Sequence, residues 1–275
     1  MSTNRTVKER LDHFFSRFPI EAKKSLGQNF LVSEYAVSKM MTALKGFSFD
    51  AVVEIGPGPG ALTDILKTFQ VDFTALEFDN FFYDYWIQQG VNAIHIDALQ
   101  WDWKQNIKNP DTTVLISNLP YQISSAIVID RCMDETQLSA MILMFQKEVA
   151  QKIRMKSKNS EFGLISVLAQ VFWDIDTVCD LSPRDFLPAP KVASRVLAFK
   201  KKDPGIQRKR DFLIFCKAGF AQKRKLLKKN LLTLNGMSPE KIIASFQKLN
   251  LNETSRAEEL SPEQWVALFK GLGFQ

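Results

Sequence analysis

The feature that most constrains the fold is an alternation, in the first half of the chain, of short β-rich runs with helical patterns about ten residues long. "AVVEIG" (51–56) leads into "ALTDILKTF" (61–69), and "DFTALEF" (72–78) into "NFFYDYWIQQ" (80–89). "NAIHID" (92–97) and "TTVLISN" (112–118) follow, then "SSAIVIDRCMD" and "LSAMILMFQ" (138–146). Parallel strands need a crossover between them, and a helix of this length both makes the crossover and covers the sheet. The pattern therefore predicts an α/β protein with a parallel sheet wrapped by helices. After Gln146, "KEVAQKIRMK" reads as helix, "FGLISVLAQVF" fits helix or strand, and "WDIDTVCDL" and "VASRVLAFK" (192–200) alternate like late strands. Past "KKDPG" (201–205) the patterns of 208–234, 239–249 and 262–271 are helical, with Pro239 and Pro262 set at helix starts after Ser238 and Ser261. These readings place an α/β domain at 1–203 and a small helical domain at 204–275.

Composition narrows the class. The 275 residues are 45% hydrophobic and 24% charged, as in an ordinary globular protein. No run approaches the roughly 18 uninterrupted apolar residues of a membrane span, and "MSTNRTVKERLDHFF" carries acids without the apolar core of a signal peptide. Cys132, Cys179 and Cys216 are far apart and without metal spacing, which points to reduced structural thiols. With only His13 and His95, a metal hydrolase or a histidine-based scheme has little to work with. A cytoplasmic protein, without metal and away from membranes, is expected; with no long apolar seam left over, a monomer is expected too.

Charge is unevenly placed. From 200 to 230 there are twelve Lys and Arg against two Asp, so that segment carries +10 and the rest of the chain, within a total of +6, is net negative by four. Such a block suits a polyanion-binding surface, and Lys223, Arg224 and Lys225 are its candidate contacts. A solvated helix face is the plainer alternative.

"EIGPGPGALT" (54–63) closes the first strand and opens the first helix. Gly56, Gly58 and Gly60 allow a tight turn and close approach of a ligand to the backbone, although a plain strand-to-helix turn would also use them. Glu77 ends the next strand, 21 residues beyond Gly56, where an acid commonly takes ribose hydroxyls. Asp97 brings a second carboxylate to the same edge. The loop is no phosphate cradle: the lysine of that motif is missing, and Pro57 and Pro59 remove two N–H donors. Glu54 beside it is hostile to phosphate and friendly to a cation. A ribose, an adenine and a positive sulfur with no phosphate describe S-adenosyl-L-methionine, which we take as the expected cofactor.

The fourth strand brings "NLPYQIS" (118–124) to that edge. Read alone, Asn and Pro make a turn. Beside a methyl donor the tetrapeptide reads as a holder for an amine. The Asn118 side-chain oxygen and a backbone carbonyl at Leu119 or Pro120 can accept from an exocyclic N–H pair. Pro120 stiffens the segment, and Tyr121 offers a ring on which an unstacked base can lie. Catalysis would be mainly positioning and electrostatics.

At this point the chain resembles the ribosomal RNA adenine dimethyltransferase family, in its small-subunit, kasugamycin-sensitivity branch. "KKSLGQNFL" (23–31), "VVEIGPGPGALT", "LEFD", "IDA", "NLPYQIS", "FQKEVAQKI", "FGLISVLAQ", "FLPAPKVASRV", "GFAQKRKLLKKNL" and "SRAEELS" (255–261) stand in the family's order along nearly the whole length. The resemblance implies a Rossmann-like class I methyltransferase sheet, mostly parallel and seven-stranded, with a small C-terminal all-helical RNA-binding domain. It implies transfer of methyl groups to N6 of two adjacent adenosines near the 3′ end of the small-subunit (16S) rRNA, on the 30S particle, during ribosome biogenesis. By position it implies that residues 1–35 close over the cofactor, with Asn29 and Leu31 at its methionine end. Gly56 and Gly58 would contact it, with Glu77 at its ribose and Asp97 at its adenine. Asn118 would stand at the transfer point, Leu119, Pro120 and Tyr121 would shape the target pocket, and Phe186 would help hold the target base. Leu164 departs from the polar or basic residue common there, which bears on an RNA contact. The large-subunit, antibiotic-resistance branch is the near alternative, but it usually reads Asn-Ile-Pro-Tyr. A further alternative is an RNA-binding assembly factor in which catalysis is secondary.

Overall fold

The computed structural model describes residues 5–23 and 26–274. The chain divides into two compact units. One comprises Met1–Ile127, Thr136–Ala150 and Asp176–Lys200; the other comprises Val128–Glu135, Gln151–Ile175 and Lys201–Gln275.

Helix α1 (Val7–Arg17) starts at a capping box in which Thr6 and Glu9 satisfy each other's backbone N–H groups. It is followed by β1 (Phe30–Leu31), α2 (Glu34–Lys45), β2 (Ala51–Ile55), α3 (Thr63–Leu66), β3 (Asp72–Glu77) and α4 (Asn80–Gln88). Then come β4 (Ala93–His95), α5 (Trp103–Asn106), β5 (Thr113–Asn118), α6 (Ser124–Met133), β6 (Ala140–Gln146), α7 (Lys147–Ile153) and α8 (Leu164–Phe172). The chain continues through β7 (Trp173–Leu181), β8 (Phe186–Leu187) and β9 (Ser194–Lys201) to α9 (Lys209–Gly219), α10 (Leu227–Leu231), α11 (Pro239–Lys248) and α12 (Pro262–Gly271).

Seven strands form one sheet in the order β4-β3-β2-β5-β6-β9-β7. The pairs β4/β3, β3/β2, β2/β5 and β5/β6 are parallel, and β9 runs antiparallel to β6. A second, two-stranded ladder pairs β1 with β8 antiparallel, Leu31 opposite Phe186. The central strands are apolar at nearly every position, buried without alternation, because helices cover both faces of a parallel sheet. The order of strands reverses at β2: the next strand in sequence lies on one side of it and β5 on the other. Ser117 Oγ donates to the Ile55 carbonyl at 2.6 Å and ties those two strands together at their carboxyl ends. In such sheets a crevice opens just there.

Two elements differ from the sequence reading. The helix expected over 61–69 shrinks to α3, because i→i+3 bonds such as Ile65 N–H to Leu62 and Phe69 N–H to Leu66 replace regular helix around it. The helix expected over 208–234 is two, α9 and α10. Asn230 Nδ2 donates to the Gly219 carbonyl at 2.6 Å and to that of Gln222 at 3.1 Å, satisfying the end of α9 and fixing the turn. The second unit begins its last segment at Lys201, but it takes in 128–135 and 151–175 as well. The ambiguous "FGLISVLAQVF" is mostly α8, apolar nearly all round and therefore in need of cover; Phe172 at its end meets the Phe212 ring edge-on at 6.1 Å. Among the described residues no helix is long and apolar enough to cross a membrane.

Candidate active site

A cavity of about 370 Å³ lies where β2, β3 and β5 end, and the loop after β4 borders it. The loop after β2 forms one wall. Gly60 sits at φ +98°, a conformation that L side chains rarely adopt, and a Cβ there would come within 2.7 Å of the Trp86 ring. That ring is itself pinned, since Trp86 Nε1 donates to the Gly58 carbonyl at 2.8 Å.

Two buried carboxyls back the loop. Glu54 accepts from Thr63 Oγ1 at 2.8 Å, and burial, relieved in part by that bond, pushes its carboxyl up to about 8. Glu77 Oε2 accepts from the Gly58 N–H at 3.1 Å, and Oε1 accepts from the N–H groups of Phe78 and Asp79 at 2.8 Å each. Burial still dominates and raises the Glu77 carboxyl to about 7. Asp97 reaches the same space from the end of the next strand, its Oδ1 accepting from the Leu99 N–H at 2.9 Å.

The segment before β1 forms the opposite wall. Lys23 Nζ pairs with Asp79 at 2.8 Å, and Gln28 Nε2 donates to the same carboxylate at 3.1 Å. Burial alone would raise the Asp79 carboxyl, but these two partners and the Phe81 N–H hold it below its ordinary value. At the far side, Asn118 Nδ2 donates to the Asn29 carbonyl at 3.0 Å. Because that carbonyl can only accept, the orientation of the Asn118 amide is determined, and Oδ1 is left as an acceptor. The Pro120 carbonyl already takes the Ile123 N–H at 3.1 Å as the chain turns into α6. Tyr121 is half-buried, its hydroxyl 2.8 Å from Ser194 Oγ.

The cavity thus brings together Asn29, Leu31, Gly56, Gly58, Glu77, Asp97, Asn118, Leu119, Pro120 and Tyr121. Phe186 is not among them. It is 3% exposed, belongs to the hydrophobic core and does not line the cavity. Alternation along β8 turns Leu187 outward instead. Lys223, Arg224 and Lys225 belong to the second unit, exposed in the turn between α9 and α10. Of the "KKSLGQNFL" segment, Lys24 and Ser25 lie outside the described residues. Sequence reasoning passed over Phe78, which lines the cavity while 59% exposed; its signal was an apolar side chain directly after the strand-ending acid in "LEFD". Among the described residues, no cluster of His, Cys, Asp or Glu has the grouping that holds a metal ion.

The profile of the family described as ribosomal RNA adenine dimethylase matches residues 20–273. The ribosomal RNA small subunit methyltransferase A of Bdellovibrio bacteriovorus is 48% identical over 271 residues, covering 98% of each chain. The protein of the same name from Mycoplasmoides gallisepticum is 31% identical, covering 96% of this chain and 97% of its own. Among solved structures, a dimethyladenosine transferase from Plasmodium falciparum superposes with a TM-score of 0.74 at 21% identity, over 89% of this chain and 98% of that one. The 23S rRNA methyltransferase ErmE superposes at 0.65 and 20% identity, over 89% and 99%. At those identities the structures speak for the fold, a class I methyltransferase sheet. With a profile spanning nearly the whole sequence and a relative identical at almost half its positions, the chain belongs to the ribosomal RNA adenine dimethylase family.

Proposed function

We propose that this protein dimethylates N6 of two adjacent adenosines near the 3′ end of small-subunit rRNA, using S-adenosyl-L-methionine, as a monomer acting in the cytoplasm during assembly of the small subunit. The names of its relatives favour the small-subunit substrate over the large-subunit one. The residues around the cavity fit the cofactor. Glu54, Glu77 and Asp97 line it with no described Lys or Arg, and Pro57 and Pro59 offer no N–H to a phosphate. Asn29, Leu31, Gly56, Gly58, Glu77 and Asp97 would hold it; Glu77, fixed by three backbone N–H groups, keeps one lone pair, on Oε2, for a ribose hydroxyl. When bound, the cofactor supplies an electrophilic methyl carbon on positively charged sulfur.

The chain's own part is to make a poor nucleophile adequate. An adenine amine has its lone pair drawn into the ring. Asn118 Oδ1 and a backbone carbonyl that accept its two N–H groups favour the pyramidal nitrogen and free the lone pair. The Pro120 carbonyl already accepts the Ile123 N–H and has one lone pair left, so Leu119 offers the less occupied backbone acceptor. Tyr121 supplies the face on which the flipped base lies. The same arrangement discharges the product. A monomethylated amine keeps one N–H for this pair of acceptors, whereas a dimethylated one has none and leaves both unpaired, which weakens its hold. Exposed Lys223, Arg224 and Lys225 in the second unit are proposed contacts to the RNA backbone.

The observation that carries this reading is the Asn118–Asn29 hydrogen bond, which leaves an acceptor oxygen at the strand-end cavity. Its test is Asn118→Ala, assayed by methyl transfer to unmodified small subunits with nucleoside analysis, beside calorimetry of cofactor binding. Transfer should fall at least a hundredfold while cofactor affinity changes several-fold at most. Transfer at the wild-type rate would overturn it.

A further inference from the structure

Ser194 stands outside the cavity lining, at the first position of β9, opposite Gln146 at the end of β6. It is completely buried, and a buried hydroxyl needs a partner. Its partner is the phenol of Tyr121, 2.8 Å away across 73 residues of sequence. Tyr121 is held at its other end as well: Ser124 Oγ donates to the Tyr121 carbonyl at 2.9 Å, and Ser124 is buried too. The ring therefore hangs between two fixed points, one on its backbone and one on its hydroxyl.

A ring anchored only at Cα turns about two side-chain torsions. Tethering the hydroxyl to a strand in the sheet removes most of that freedom and sets the tilt of the face it presents. We infer that Ser194 is a positioning residue for methyl transfer: by holding the Tyr121 hydroxyl it fixes the plane against which the target base stacks, and with it the direction of the amine. This rests on the reading of Tyr121 as the base platform. Stacking needs only a π-face, so the loss of the tether leaves binding to a large RNA, which is held at many other points, almost intact. Rate, which depends on orientation, is what suffers.

The test compares Ser194→Ala, Tyr121→Phe, the double variant and Ser194→Thr. Each is assayed for single-turnover methyl transfer to unmodified small subunits, KM for the subunits, and cofactor affinity and stoichiometry by calorimetry. Ser194→Ala and Tyr121→Phe should each lower the transfer rate roughly tenfold, the size of one lost hydrogen bond. KM should stay within about twofold and cofactor stoichiometry near one. Because one bond is lost in either case, the double variant should be no slower than the singles, and Ser194→Thr should recover most of the rate. A purely structural serine would instead lower the number of cofactor sites per chain, and its loss would multiply with that of Tyr121→Phe. Either of those results, or a wild-type rate in Ser194→Ala, overturns the inference. An active wild type with an unaffected Ser194→Ala sinks this inference alone, whereas absence of dimethyladenosine from the wild-type reaction sinks the functional reading beneath it.

Discussion

Replacing Glu54 by Gln should abolish the pH response of stability contributed by this site. The carboxyl is 2% exposed and bonded to Thr63, with an ordinary value of 4.5 raised to about 8 in the fold. A carboxyl whose folded value is raised binds its proton more tightly in the native state than in the unfolded chain. Its contribution is therefore fully present at low pH and is lost as pH climbs from about 4.5 towards 8. Between those limits the native state holds nearly one proton more, so stability falls by about 1.4 kcal/mol per pH unit. At pH 7 this sums to about 3 kcal/mol, an upper figure because buried groups relax. Gln cannot ionise, is close in shape and still accepts from Thr63. Any fixed cost of its amide is the same at every pH and drops out of the slope. Urea denaturation at pH 5.5, 6.5 and 7.5, with midpoints compared at constant m, should show the wild type losing about 1.4 kcal/mol per unit more than Glu54→Gln. The variant should be the more stable protein by pH 7.5. Parallel slopes for the two proteins would show that Glu54 is ionised in the fold and that burial does not govern it.

Gly60→Ala should cost about 3 kcal/mol or more, because φ +98° strains any side chain and the added Cβ would meet a ring that cannot retreat without breaking its bond to Gly58; thermal unfolding close to wild type would refute this. Changing Lys223, Arg224 and Lys225 together to Ala should flatten the slope of log affinity for RNA against log salt by about two to three, roughly one for each phosphate no longer neutralised, with cofactor affinity unchanged. An unaltered slope would return those side chains to a solvated surface.

Short apolar β-rich runs alternating with helical segments were enough to read the α/β sheet, because parallel strands buried on both faces have few other ways to be written. The order of the strands was not, since pairing depends on residues far apart in sequence. Helix ends were readable where a local capping group sets them, as at Ser238 and Ser261, which both accept N–H groups three residues on. They were unreadable where a distant side chain does the work. Nothing between 208 and 234 announces that Asn230 will close off α9. The reach of the second unit was hidden for the same reason: α8 is apolar enough to suit either side of a boundary, and only its neighbours decide which core it joins.

The site divides along the same line. Gly56, Gly58, Glu77, Asp97 and Asn118 occur at or just past strand ends, where topology alone delivers them to one edge, so their spacing in sequence already gives their place around the cavity. The burial of Phe186 could not be read from sequence because a two-residue strand gives no alternation. Whether its ring or the side chain of Leu187 faces the core follows from the pairing with Phe30 and Leu31, more than 150 residues away. Ser194 shows the converse: it lies within "FLPAPKVASRV", but nothing in that segment tells which side chain it meets, which is set by a partner 73 positions distant. Residues that touch ligands are constrained by chemistry and leave motifs. Those that aim them are constrained by geometry, and any small polar side chain at the right point on a neighbouring strand would serve, so their partners cannot be read from the segment that carries them.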